Sequence, residues 1–240
     1  MVRGLWALAA AWLAATSVQA ASVASPPPPV EDYGKSPGMQ NVTPSPSGQR
    51  YAFVTTVGGK RMLYVATTDN KPIDAASLGP TKVEQVWWAG DDHLLVAYSN
   101  TVNLGMEFTV SKHELGGVVV MDLKHRKTFS VFAGPYQKSV AQTVVGSFGA
   151  VEQKGHWYGY FAGYGYEFDR GGGYVKTTAE GRLIADLFKV DLDTGDFTVA
   201  VKGQEDVYDW LVSPVTGEVV ARVRFNQRNG DWKIVASRWS

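Results

Sequence analysis

Cysteine is absent from the 240 residues, which excludes disulfides, thiolate metal sites and cysteine nucleophiles. An excess of one charge is lacking too, since 23 Lys+Arg stand against 23 Asp+Glu. Without clustered positive charge, the chain offers no electrostatic case for nucleic acid or anionic lipid. Isoleucine is scarce, with three residues against 14 Leu and 32 Val. Valine in that excess, with aromatics at 12%, favours strands and argues against an all-helical bundle. Disorder is excluded in turn, because 45% hydrophobic and 19% charged residues describe a chain able to bury a core.

Long apolar runs are missing except at the start. Arg3, the apolar stretch Leu5 to Ala15, and the small residues Val18 and Ala20 make residues 1–20 a secretory signal peptide, with cleavage expected after Ala20. The apolar stretch is too short for a transmembrane helix, which needs about 20 residues. Residues 21–30 read as a Pro-rich linker, because Pro26 to Pro29 lock φ and remove backbone donors. No other segment is apolar for long enough to cross a membrane. The mature chain is therefore expected in the periplasm or secreted, free of the membrane, with residues 31–240 as its folded part.

What is present is strand, turn, strand, repeated. Tyr51–Thr56 and Met62–Ala66 flank Gly58-Gly59, a hairpin signal. Val83–Trp88 and His93–Ser99 flank Ala89-Gly90-Asp91-Asp92; a polar insertion from Asn100 to Leu115 precedes Val118–Asp122 and Thr128–Phe132. Val144–Glu152 and His156–Phe161 form a third unit, resuming after a glycine-rich insertion at Leu187–Asp191 and Phe197–Val201. Tyr208–Val212, Val219–Phe225 and Trp232–Ala236 form the fourth. The first turns of the units, near Gly48, Asp91, Gly155 and Gly217, lie 43, 64 and 62 residues apart. A spacing of about 43 residues is one propeller blade, and the longer ones fit a blade plus an insertion. The prediction is an all-β chain, an incomplete β-propeller of about four four-stranded antiparallel blades; a β-sandwich is the alternative.

Glu31-Asp32-Tyr33-Gly34-Lys35, Val42-Thr43-Pro44-Ser45-Pro46-Ser47-Gly48, Trp88-Ala89-Gly90-Asp91-Asp92 and Leu187 to Gly195 resemble prolyl-oligopeptidase-family serine peptidases. In that family a β-propeller precedes an α/β-hydrolase domain bearing a Ser-Asp-His triad. The resemblance spans residues 30–236 but covers the propeller part only, and similar turns occur in TolB-like propellers without an enzyme. A hydrolase nucleophile needs G-x-S-x-G, and the nearest approach, Gly146-Ser147-Phe148-Gly149, has the wrong spacing. No catalytic residue carries over, so the chain alone is expected to be inactive. It reads as the truncated front of a longer enzyme, gating peptide access to a hydrolase domain that it does not contain. The alternative is a free-standing periplasmic TolB-like propeller that binds a protein or envelope partner.

Site candidates are few. Tyr164, Tyr166, Asp169 and Arg170, in an aromatic stretch leading into Gly171-Gly172-Gly173, are the binding candidates, with the aromatics stacking on a peptide or sugar ring. This segment is expected to be a mobile loop. Trp157 to Phe161 are expected to fill the wedge between blades. His93, His113, His125 and His156 show no i, i+4 or i, i+2 spacing, so no metal and no cofactor are expected. Asp191, Asp193 and Asp196 resemble a calcium loop only superficially, because Gly195 stands where a ligand is needed; a hairpin turn is expected. Peptide is the expected partner once a catalytic domain is joined. Val118–Val120 and Val219-Val220 want cover on both sides, so self-association through open blade faces is also expected. Export predicts a mature N-terminus at Ala21; intact-mass measurement of protein from a secreting bacterial host checks it, and soluble protein retaining Met1 to Ala20 contradicts it.

Overall fold

Residues Leu94 to Ala97 are apolar without interruption, so successive side chains point to opposite faces and both faces need cover. The computed structural model describes residues 27–34, 38–103, 112–133, 139–169 and 172–236. The leader and most of the linker lie outside these residues. A four-residue helix, α1 (Val30–Tyr33), belongs to a unit of its own ending at Ser36, and all strands lie in the unit Pro37–Ser240.

Sheet I pairs β1 (Gln40–Pro44), β2 (Arg50–Val57), β3 (Lys60–Thr67) and β4 (Pro72–Ser77) in chain order. Sheet II does the same with β5 (Lys82–Ala89), β6 (His93–Asn103), β7 (Lys112–Asp122) and β8 (Lys127–Ser130). After β9 (Gly146–Gln153) and β10 (His156–Gly163), the chain makes a separate hairpin of β11 (Tyr166–Asp169) and β12 (Gly172–Val175). It then completes sheet III with β13 (Asp186–Asp191) and β14 (Phe197–Val201), in the order β14-β13-β10-β9. Sheet IV holds β15 (Val207–Val212), β16 (Val219–Phe225) and β17 (Trp232–Ala236). All pairings are antiparallel.

The all-β reading holds, with two differences in detail. The sheets number five, because part of the glycine-rich insertion pairs as a hairpin, and sheet IV has three strands among the described residues. Both ends of the polar insertion stay in the ladder: Asn100 pairs with Leu115 and Asn103 with Lys112, which extends β6 and β7. Polar side chains are compatible with a strand wherever its face meets water.

Three cores join the four larger sheets. Ala52, Val54, Leu63 and Val65 of sheet I pack against Val86, Leu94, Val96 and Met121 of sheet II. The opposite face of sheet II, with Leu95, Val118 and Val120, meets Phe161, Phe188, Val190 and Leu192 of sheet III. Here the rings of Phe132, Phe188 and Phe197 meet edge to face, with centroids 5.1, 5.3 and 5.5 Å apart. The other face of sheet III, with Val151, Tyr160, Ala162 and Leu187, meets Val207 and Trp210 of sheet IV. Sheets II and III are thus covered on both faces, and the wedge role expected of Tyr160 and Phe161 is visible in their burial.

Each contact is also tied at its turn end. Arg50 Nη1 donates to the Asp91 carbonyl at 2.7 Å and to Asp92 Oδ1 at 2.9 Å, joining sheets I and II. His93 and Asp193 join II to III at 2.8 Å, and Gln153 donates to the Thr216 carbonyl at 2.5 Å to join III to IV. The turn before the second strand of each sheet needs positive φ: Gly48, Gly90, Gly155 and Gly217 adopt +71°, +60°, +81° and +73°. At Gly90 a Cβ would also lie 2.7 Å from the Trp157 indole, so this turn sits directly against sheet III.

Replacing Phe161 by Ala removes a fully buried ring from the II–III core and is expected to destabilise the chain by about 3–5 kcal/mol. Ile234→Ala, at a residue 58% exposed, is expected to change stability by no more than about 0.5 kcal/mol. Urea unfolding followed by tryptophan fluorescence checks both, and equal losses would contradict the assignment of faces.

Candidate functional site

Within the segment singled out for binding, Tyr166–Asp169 is strand, not loop. Tyr166 pairs with Val175 and Phe168 with Gly173, and at the hairpin end Asp169 pairs with Gly172. Arg170 lies outside the described residues. Tyr164 is half-buried, and its carbonyl accepts the Ala141 N–H at 2.9 Å, while the Tyr166 N–H donates to the Ser139 carbonyl at 2.8 Å. Alternation along β11 exposes Tyr166 and Phe168, the latter 67% exposed. Glu167, between them, pairs with Lys176 Nζ at 2.7 Å; this contact holds its carboxyl below the usual carboxylate range against the opposing effect of desolvation. Lys202 continues the chain, 4.0 Å from Glu167 and 2.8 Å from the buried Asp186, which also accepts the Gly203 N–H. Ion pairs thus fasten the hairpin to sheet III, and exposed rings stand on a fixed support.

Beyond the hairpin lies a cleft of about 520 Å³, lined by Thr178, Glu180, Arg182, Glu205, Asp206 and Arg228 among others. The Arg182 guanidinium lies 4.6 Å above the Tyr208 ring and donates to the Glu205 carbonyl. Arg224 Nε is 2.8 Å from Asp206 Oδ2, and Arg228 is 3.6 Å from Glu180. Backbone and Thr178 hydrogen bonds, then Arg228, hold Glu180 below the usual carboxylate range. Both signs of charge are thus interleaved along this wall.

The third arrangement joins residues far apart in the chain. His93 opens β6 and stands in register with Asp122, the last residue of β7. Asp122 Oδ1 accepts the N–H groups of Lys124 at 3.0 Å and His125 at 2.9 Å, and its Oδ2 is 2.6 Å from His125 Nδ1. Burial alone would push the Asp122 carboxyl up, but the His125 N–H and imidazole outweigh it and keep the group below the usual range. Sheet III repeats the device: Asp191 Oδ1 accepts the N–H groups of Asp193 at 2.8 Å and Thr194 at 3.1 Å, fixing the expected hairpin turn. That turn carries Asp193 to the sheet II contact, with Oδ1 2.8 Å from His93 Nε2 and Oδ2 3.2 Å from His156 Nδ1. One ligand atom each from His93, Asp122 and Asp193 lie within 4.8 Å of one another, a grouping that could hold a metal ion. His113 stands apart, exposed near the start of β7.

Local spacing does not reveal this cluster, because its members come from three turns in two sheets. A signal was nevertheless present: Val120-Met121-Asp122-Leu123 and Lys189-Val190-Asp191-Leu192 end strands in the same way, which places the turns after them alike.

No family model matches the chain, and no curated protein matches it. Among solved structures, cobalt-substituted Synechocystis ACO is 12% identical over 78% of this chain and 46% of its own, with a TM-score of 0.38. The tricorn protease is 10% identical over 82% of this chain and 25% of its own, at 0.32, and an acylaminoacyl peptidase is 13% identical over 84% and 39%, at 0.33. The chain spans less than half the length of each of these three. At such identities and TM-scores, none of them bears on what this chain binds or does.

Proposed function

We propose that this chain is the non-catalytic propeller portion of an exported prolyl-oligopeptidase-like serine peptidase, limiting which peptides reach a hydrolase domain carried elsewhere. The observation that carries the reading is the stack itself. Four sheets follow one another in chain order, and the middle two are covered on both faces. Sheet I keeps an outward ladder of stacked rings, Tyr51–Phe53 at 5.6 Å and Phe53–Tyr64 at 5.7 Å, and sheet IV exposes Trp232 and Ile234. Apolar faces of this kind suit further sheets on either side, as in a propeller ring. The ring nitrogens of His93, His125 and His156 that make hydrogen bonds meet aspartates and not a hydroxyl. The gating role rests on the family resemblance of the turn motifs.

A second reading is a free-standing periplasmic propeller that binds a protein or envelope partner, and the charged cleft around Arg182 favours it.

A fluorophosphonate probe is expected to leave the folded chain unlabelled, with no hydrolysis of peptide anilides. Stoichiometric labelling of one serine would overturn the non-catalytic assignment. The DNA immediately downstream separates the two readings: a hydrolase domain in any frame supports the first, an unrelated gene the second. Light scattering at micromolar concentration is expected to show self-association through the outer sheet faces, and a monodisperse monomer that binds no hydrophobic dye would contradict the need for further sheets.

A further inference from the structure

We propose that His93, Asp122 and Asp193 form a binding site for a divalent transition-metal ion that clasps sheet II to sheet III, with His156 at its rim. Two carboxylates meet here with no Lys or Arg among the described residues paired to either. The side-chain partners of Asp122 and Asp193 are the imidazoles of His93, His125 and His156. Asp122 is 1% exposed and His93 4%, so this negative charge is held away from water, where an unneutralised charge is costly.

His93 supplies an independent observation. Its Nε2 faces the acceptor Asp193 and therefore carries the ring proton, yet its Nδ1 is buried with no hydrogen-bond partner. A buried imidazole with one uncommitted nitrogen is incompletely satisfied by protein alone. A metal ion held by His93 Nε2 would replace the proton that this nitrogen shares with Asp193, leave the ring proton on Nδ1 and neutralise two carboxylates.

The donor set selects the metal class. One or two imidazoles with two carboxylates suit zinc, cobalt or nickel, whereas calcium and magnesium favour shells made of oxygen alone. Ligand atoms of a tetrahedral zinc site lie about 3.3 Å apart, from bonds of about 2.0–2.2 Å. His93 Nε2 lies 2.8 Å from Asp193 Oδ1 and His156 Nδ1 3.2 Å from Asp193 Oδ2, and a ligand atom of Asp122 lies within 4.8 Å of those of His93 and Asp193. Asp193 comes from the β13–β14 turn and His93 from the start of β6, so the ion would join two sheets and stabilise their contact by mass action.

The untagged mature chain, stripped with chelator, is titrated with ZnCl2 by calorimetry and with CoCl2 by visible absorption. The expected result is one ion per chain, an intense tetrahedral cobalt band displaced stoichiometrically by zinc, and no comparable response to calcium or magnesium. His93→Gln and Asp193→Asn are each expected to weaken zinc binding by about tenfold or more, and His113→Gln to leave it unchanged. Absence of zinc binding, or equal binding by all three variants, would overturn the site. Should both ligand variants fail to fold, the cobalt spectrum of the unaltered chain decides: a weak octahedral band, as in buffer, also overturns it.

Discussion

A sheet apolar on both faces cannot stand alone, and this constraint organises the whole chain. Leu94 and Val96 leave β6 towards sheet I, while Leu95 leaves it towards sheet III. In sheet III, Phe161 and Phe188 turn to sheet II while Tyr160, Ala162 and Leu187 turn to sheet IV. The two middle sheets are therefore apolar on both faces at their centres, and sheets I and IV serve as their covers. Removing either cover would expose a contiguous apolar surface, which soluble chains rarely present.

Burial alone leaves the relative rotation of stacked sheets loosely set, because it is non-directional. Direction comes from the turns. Arg50 reaches across to Asp91 and Asp92, Gln153 to Thr216, and Asp193 to His93. Asp122 and Asp191 cap equivalent turns, and in the second case the cap presents the neighbouring carboxylate to the adjoining sheet. Packing and polar ties thus agree on one arrangement, which is what gives a sequence a single fold.

Much of the architecture was legible from residue order. The valine runs, the glycines at 48, 155 and 217, and the Ser-Pro turns placed most strands and all four units. Some pairing escaped. Asn100 to Asn103 is polar and reads as loop, yet it continues a ladder whose cost is met by β7 alongside. β4 begins at Pro72, which is compatible with a strand only at its first position or at an edge. The binding candidates were half legible: the aromatic alternation of Tyr164 to Phe168 was visible, but its partner β12, only three to nine residues further on, begins in glycines that read as a loop. The His93–Asp193 contact was not legible at all, because it joins positions 100 residues apart through tertiary packing.

The central claim is that sheets II and III form the doubly covered interior of an ordered stack. Amide hydrogen exchange followed by mass spectrometry on the purified chain tests it most directly, since protection tracks the free energy of opening each element. The account predicts the slowest exchange in β6, β7, β10 and β13 and the fastest among strands in β1 and β17. Uniform protection across the four sheets, or protection greatest in sheet IV, would contradict it.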